Sequence, residues 1–278
     1  MTESLSIQGG RIAYDVTGDG PLVVLAHGMG DNRRAFRFLV PELVAAGYRV
    51  AAADLRGHGE STAGWPSYTR TDSAGDILAL IRHLGGPAVV VGHSFAGGAA
   101  TIAAAQEPEL VSAVVEIGPF TRAQRLDLAG LLRDSHHRRG MTLLMGAGML
   151  RSVALWKRYL DHAYPGVKPA DFAAHLAAVE ADLRRPGRMA VVAKMGMSAP
   201  TDAGAHLPAL ECPALVVMGT RDPDWADPEA EAEGIVAEMP AGLGSVAMIE
   251  GAGHYPHAQY PAEVAAAMLA FLRERAGK

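Results

Sequence analysis

Cysteine is almost missing: Cys212 stands alone among 278 residues. A disulfide framework within the chain is thereby excluded, and zinc held by paired cysteines is disfavoured. Placed just ahead of an apolar run, Cys212 reads as a small buried hydrophobe. Positive charge is also in short supply. The 25 Lys and Arg against 30 Asp and Glu leave a net charge of −5, so no basic footprint for nucleic acid exists. The densest basic run, His136-His137-Arg138-Arg139, is short and reads as a solvated helix end. No apolar run approaches the length of a bilayer span. The opening Met1-Thr2-Glu3-Ser4-Leu5 lacks a basic region followed by an apolar segment, so no signal peptide is expected. Metal spacing is missing among the histidines: His136 and His137 are adjacent, and His162, His175 and His206 are isolated. Gly28-x-Gly30 is too short for a dinucleotide fingerprint, and no phosphate-binding loop occurs. A soluble cytoplasmic protein is expected, with a small-molecule substrate, no metal or cofactor, and no nucleic-acid or membrane partner. The oligomeric state stays open.

Hydrophobic residues make up 49% of the chain, which suits one large globular domain or a domain with an insertion. Leu5–Gln8 and Arg11–Val16 alternate in strand fashion around Gly9-Gly10, a hairpin signal. Leu22–Ala26, a continuous apolar run, Arg49–Leu55, of buried type, Val89–Val91, Leu110–Ile117, Ala214–Gly219 and Ser245–Ile249 read as strands. Between them, Arg33–Ala46, Tyr68–Leu84 and Phe95–Gln106 have helical character, and a helix over Pro261–Arg275 closes the chain. Continuous apolar strands alternating with helices indicate a parallel sheet covered on both faces. From Phe120 to Leu210 the pattern is helical only, over Ala123–Arg138, Thr142–Ala163, Pro169–Leu183 and Arg188–Met195. An interval that long is no connection. It divides the chain into a core of residues 1–119 and 211–278 and an inserted cap of residues 120–210.

The segment Val89-Val90-Val91-Gly92-His93-Ser94-Phe95-Ala96-Gly97-Gly98 is the sequence form of a nucleophile elbow. An apolar strand ends in glycine, a serine follows two residues on, and a helix of small residues begins. Gly92 and Ala96 are small because the turn brings their backbones together; Gly97 and Gly98 let the helix pack close to the sheet. Ligands of open α/β sheets bind beyond the carboxyl ends of the strands. Those ends carry His27-Gly28-Met29-Gly30, Asp54-Leu55-Arg56-Gly57-His58-Gly59-Glu60-Ser61, Ser94, Gly219-Thr220-Arg221-Asp222 and Gly251-Ala252-Gly253-His254.

Four signatures in order, His27–Gly30, Asp54–Ser61, Gly92–Gly98, and Gly219–Asp222 with Gly251–His254, resemble the α/β-hydrolase fold superfamily, in particular its capped bacterial serine hydrolases: esterases, C–C bond hydrolases and cofactor-free haloperoxidases. The resemblance implies a mostly parallel eight-stranded sheet with helices on both faces and an inserted helical cap. It places Ser94 as nucleophile, His254 as its base and Asp222 as the carboxylate that orients the imidazole. It gives the backbone N–H groups of Met29 and Phe95 to the oxyanion hole. Asp224 competes with Asp222, and His257 competes with His254 but reads better as pocket rim. Asp224 and Asp227 otherwise cap or solvate the next helix. His93 packs beneath the nucleophile, and the Asp54–Ser61 loop is architectural.

Six of the 12 methionines lie in the cap, and Met141, Met145 and Met149 share a helix face. Soft side chains of this kind suit an irregular apolar pocket. His27, Met141, Met145, Trp156 and Tyr255 are its expected lining, with no basic anchor for a charged substrate. The expected activity is hydrolysis of a small or medium apolar ester, lactone or thioester through an acyl-enzyme. It should fall as pH drops through an ordinary histidine titration near about 6–7. C–C bond hydrolysis, perhydrolysis or acyl transfer by the same triad, and a ligand-sensing receptor, are the alternatives.

Overall fold

A computed structural model describes residues 2–123 and 128–276. Its strands are β1 (Glu3–Ile7), β2 (Gly10–Thr17), β3 (Leu22–Ala26), β4 (Arg49–Ala53), β5 (Ala88–His93), β6 (Val111–Ile117), β7 (Ala214–Gly219) and β8 (Gly244–Ile249). They form one sheet in the order β1-β2-β4-β3-β5-β6-β7-β8. The hairpin forms where Gly9-Gly10 predicts it, with Ile7 paired to Gly10 and Gly9 at φ 97°. β2 also runs antiparallel to β4, and every later pairing is parallel. This is the mixed, mostly parallel eight-stranded sheet that the resemblance implies.

Alternate residues of each central strand feed two separate cores. Along β3, Leu22, Val24 and Ala26 face one cluster, and Val23 and Leu25 face the other. The second core is closed by α1 (Leu39–Ala45) and, at the far end of the chain, by the helix Pro261–Phe271. The first is closed by α2 (Arg70–Leu84), α3 (Phe95–Gln106) and the helix Pro228–Ala237. In α2, Thr69 and Asp72 form a capping box and Gly85 takes φ 80° to end the helix.

Several helices break where the periodicity reads as continuous. The expected Arg33–Ala46 helix is a 3-10 turn over Arg33–Phe36 followed by α1. Pro41 has no N–H to give the carbonyl of Arg37, so no unbroken ladder can cross that point. Between β6 and β7 lie α4 (Leu128–Arg133), α5 (Ser135–Leu150), α6 (Val153–His162), α7 (Phe172–Leu183), α8 (Arg188–Gly196) and α9 (Thr201–Gly204). Residues 124–127 of the expected Ala123–Arg138 helix lie outside the described residues. The rest is cut at Asp134, whose side chain caps α5. The expected Thr142–Ala163 helix divides at Arg151, which takes φ 49°, and Ser152 caps α6. After β7 come α10 (Pro228–Ala237), α11 (Pro256–Gln259), which the sequence did not suggest, and α12 (Pro261–Phe271). The helices between β6 and β7 bury a third cluster around Trp156, Tyr159, Leu160 and Val179. Among the described residues no helix is long and apolar enough to cross a membrane. Cys212 is buried, and burial pushes its thiol up to about 11.

One buried acid in the sheet gives the fold a pH dependence. Glu116 of β6 is fully buried; its Oε1 accepts from the hydroxyls of Thr101 and Thr121, and its Oε2 has no partner among the described residues. Burial raises its carboxyl from 4.5 to about 7, outweighing the two hydroxyls. The folded state then binds more protons than the unfolded state between those values, so stability falls as pH rises through them. A shift of that size corresponds to on the order of 3 kcal/mol. Thermal melts at pH 5 and pH 8 should show Glu116→Gln gaining on the wild type at the higher pH. An unchanged difference would mean that the carboxyl does not titrate in this range.

Candidate active site

The turn between β5 and α3 has the geometry its residues predict. Ser94 takes φ 54°, a value L-residues rarely hold without enforcement from their surroundings. A Cβ on Gly92 would lie 2.1 Å from the carbonyl oxygen of Ala96, and one on Gly28 would lie 2.8 Å from Ser94 Cβ. The Ser94 N–H is fixed by the carbonyl of Ile117 at 2.8 Å. Gly97 lies close to the sheet, a Cβ there falling 3.6 Å from the Gly92 carbonyl oxygen of β5, whereas Gly98 makes room for other neighbours. Gly97 faces Pro119, and a Cβ on Gly98 would lie 2.8 Å from both Ala203 Cβ of α9 and Arg70 Cδ.

Loops leaving β7 and β8 bring an acid and a base together. His254 Nδ1 lies 2.8 Å from Asp222 Oδ2 and 3.3 Å from Asp224 Oδ2. All three side chains are buried. Asp222 Oδ1 also accepts the backbone N–H of Asp224 at 3.0 Å. Asp224 therefore does not cap the next helix; Asp227 does, accepting from the N–H of Ala230 at 3.0 Å. Asp224 Oδ2 instead accepts the Tyr159 hydroxyl of α6 at 2.6 Å, which ties the interposed helices to the acid loop. His137, expected in a solvated helix end, is buried with its ring 2.9 Å from the Pro223 carbonyl and fastens α5 to the same loop.

The surroundings single out one histidine. Burial lowers the pKa of His27 and His93, and takes those of His58 and His257 to about 3. Burial opposes charge on His254 as well, but Asp222 and Asp224 outweigh it and raise the ring to about 9. Burial, with the charge of Asp222 added, holds Asp224 up at about 6 against the pull of His254 and Tyr159. His257 is no pocket rim: it is fully buried, packed between the rings of His93 at 4.6 Å and Phe36 at 5.0 Å. His93 lies beneath the site as expected, bonding the His254 carbonyl at 2.9 Å. Asp222, Asp224 and His254 are close enough to ligate a cation, with ligand atoms within 4.8 Å of one another. A proton joins His254 Nδ1 to Asp222 Oδ2 and the Tyr159 hydroxyl occupies Asp224 Oδ2, while Asp224 Oδ1 is buried with no partner among the described residues.

Opposite Ser94, the loop after β3 is clamped from two sides. The His58 ring accepts the Gly30 N–H at 2.9 Å, and Trp156 Nε1 donates to the Gly30 carbonyl at 3.0 Å. Gly30 takes φ 68°, and a Cβ there would strike the Trp156 ring at 2.5 Å. Between these bonds, the N–H of Met29 finds no loop, turn or cap acceptor among the described residues, and neither does that of Phe95. Phe95 opens α3, where intrahelical acceptors are lacking. His27, expected in the pocket, is a backbone staple instead. Its Nε2 accepts the Leu55 N–H at 3.0 Å, so Nδ1 carries the proton donated to the Gly28 carbonyl. The Asp54–Ser61 loop is architectural: Asp54 pairs with Arg33, Arg56 with Asp76, and Ser61 bonds both Ala13 and Asp54.

Ser94, Met29 and Phe95 line a cavity of about 470 Å³. Met141, Met145 and Trp156 line it as expected, joined by Met149, Met195 and Met197. Tyr255 does not; it is buried against His93 at 4.6 Å and stacked on Tyr164 at 4.7 Å. The cavity also holds a cation that the sequence did not reveal, Arg70. A signal was present, since arginine in the first turn of a helix opposes the helix dipole.

The sequence model of a family described as "Alpha/beta hydrolase family" matches residues 23–267. A 2-(acetamidomethylene)succinate hydrolase of Mesorhizobium japonicum is 34% identical over 167 residues, 58% of this chain and 56% of that protein's length. Among solved structures, a thermophilic esterase from Thermogutta terrifontis superposes with a TM-score of 0.74 at 24% identity, covering 99% of this chain and 98% of its own. The enol-lactonase from Burkholderia xenovorans does so at 0.77 and 18% identity, covering 98% and 100%. At such identities the two structures attest to a shared fold.

Proposed function

The chain belongs to the alpha/beta hydrolase family and is an enzyme of the hydrolase class, and we propose that it is a serine hydrolase cleaving esters, lactones or thioesters with a largely apolar body. In this proposal Ser94 attacks the carbonyl carbon as His254 Nε2 takes the hydroxyl proton. The N–H groups of Met29 and Phe95 hold the oxyanion that develops. His254 returns the proton to the leaving alcohol or thiol, and water then releases the acid from the acyl-enzyme. The observation that carries this is the enforced backbone of Ser94 on the wall of a methionine-lined cavity. The orienting hydrogen bond that His254 Nδ1 donates to Asp222 supports it, because it leaves Nε2 as the basic nitrogen. Residues 1–119 and 211–278 then form the catalytic core, and 120–210 the cap that shapes the pocket.

The test is labelling. A fluorophosphonate should modify Ser94 stoichiometrically, located by peptide mass, and an activated short-chain aryl ester should give a burst of phenol. Modification elsewhere, or none, would remove the nucleophile from the proposal. The pH profile should differ from that of an ordinary histidine. A base raised to about 9 is mostly protonated at neutral pH, so kcat/KM should climb tenfold per pH unit below that value and level off above it. A plateau already reached at pH 7 would show that the two acids do not act on the ring together.

A further inference from the structure

We propose that Arg70 makes the cavity selective for acyl substrates that carry a carboxylate alongside the bond to be cleaved. The proposal deepens the serine hydrolase function above and rests on it for the reaction, though not for the binding of the anion.

The other buried arginines, Arg56 and Arg188, and the half-buried Arg33 each face an acid. Arg33 meets Asp15, Asp54 and Glu60; Arg56 meets Asp72 and Asp76; Arg188 lies 3.9 Å from Asp182. Arg70 is just as enclosed, at 4% exposure, yet forms no ion pair among the described residues. Asp202 acts on it from farther off and is bonded to Thr71 at 3.3 Å. Its guanidinium is held by dipoles: Nε donates to the Phe120 carbonyl at 3.1 Å and Nη1 to the Ser198 carbonyl at 2.8 Å. The face lies over the Phe95 ring at 4.4 Å, and the stem packs where Gly98 lacks a side chain. Two carbonyls and a ring fix the plane of the group without neutralising it.

An uncompensated charge at the edge of an apolar space is costly and is tolerated where something answers it. Nη2 donates to no protein acceptor among the described residues, so on this cavity-lining side chain part of the planar guanidinium fork is left for a ligand. That fork matches the two oxygens of a carboxylate. It sits over the side chain of Phe95, the residue next to Ser94. The methionines across the cavity supply only apolar surface. The complementary ligand therefore has an anionic end, a short spacer to the scissile carbonyl, and an apolar leaving or acyl portion. Because the carbonyl bonds tie the guanidinium both to the loop after β6 and to the segment after α8, little ordering is left to be done on binding.

A matched pair of esters tests this: the 4-nitrophenyl monoester of glutaric acid and 4-nitrophenyl pentanoate, corrected for spontaneous hydrolysis. The wild type should favour the anionic ester in kcat/KM, and Arg70→Met should lower the anionic-to-neutral ratio about 10- to 100-fold. Arg70→Lys, which keeps the charge and loses the fork, should give an intermediate ratio. A ratio taken within one variant is unaffected by the fraction folded. A wild type that favours pentanoate, or a ratio unmoved in both variants, overturns the proposal. If neither ester turns over and Ser94 resists the fluorophosphonate, the hydrolase function has failed separately. Calorimetry with free glutarate then decides: affinity weakened at least tenfold in Arg70→Met supports the subsite, and equal or absent binding to the wild type overturns it.

Discussion

Ser94→Ala should lower kcat by up to about a millionfold and abolish fluorophosphonate labelling, with binding of a non-reactive ligand kept. The size follows from interdependence. In the proposed mechanism, loss of the hydroxyl leaves His254 nothing to activate and Asp222 nothing to orient. What survives is the background supplied by the N–H groups of Met29 and Phe95 and by confinement in the cavity, about 10³- to 10⁴-fold over water in triad enzymes. Ser94→Gly makes the comparison more informative. It removes the same hydroxyl, so turnover should fall as far. It also removes the Cβ that makes φ 54° unfavourable, a strain of about 1–3 kcal/mol. Glycine's greater freedom in the unfolded chain offsets part of that gain. Ser94→Gly should therefore melt at or above the temperature of Ser94→Ala. The reverse order would mean that the turn is not strained at the serine. Retained turnover in purified Ser94→Ala would sink the proposed chemistry outright.

The parallel strands, the elbow and the loops that close on it were legible because each depends on local chemistry. The continuous apolar runs of β3 and β5 need cover on both faces, and only small residues permit the approach of Gly92 to Ala96. Other features depend on partners far along the chain. His27 follows a strand end and looks like pocket lining, but the Leu55 N–H, 28 residues away, draws its ring back into the backbone. Tyr159 is one more apolar helix position until α6 docks and sets its hydroxyl on Asp224. Nothing local to Arg70 marks it as enclosed; its enclosure comes from Phe120, Ser198 and the gap over Gly98. Helix breaks divide in the same way. Pro41 announces its own, whereas Arg151 adopts φ 49° with no residue-type signal for it.

The pair Asp222 and Asp224 shows why adjacency in sequence could not assign the acid. Both carboxylates approach the same nitrogen, at 2.8 Å and 3.3 Å, and only the first makes a hydrogen bond. Asp222→Asn should reduce kcat about 10⁴-fold. An amide in that place can turn its NH₂ toward the ring, which favours the proton on Nε2 and leaves no base facing Ser94. Asp224→Asn should act differently. It keeps an oxygen for the Tyr159 hydroxyl and leaves the Asp222 bond intact, so kcat on the alkaline plateau should stay within about tenfold of the wild type. What it removes is one of the two negative charges holding His254 up at about 9. The limb of the kcat/KM profile should move down by about 1 to 3 pH units, and Asp224→Asn should outperform the wild type near pH 7. Full pH profiles of both variants read this directly. A ten-thousandfold loss in Asp224→Asn with a mild effect in Asp222→Asn would exchange the two roles. A limb that stays in place in Asp224→Asn would show that Asp222 alone sets the basicity of the ring.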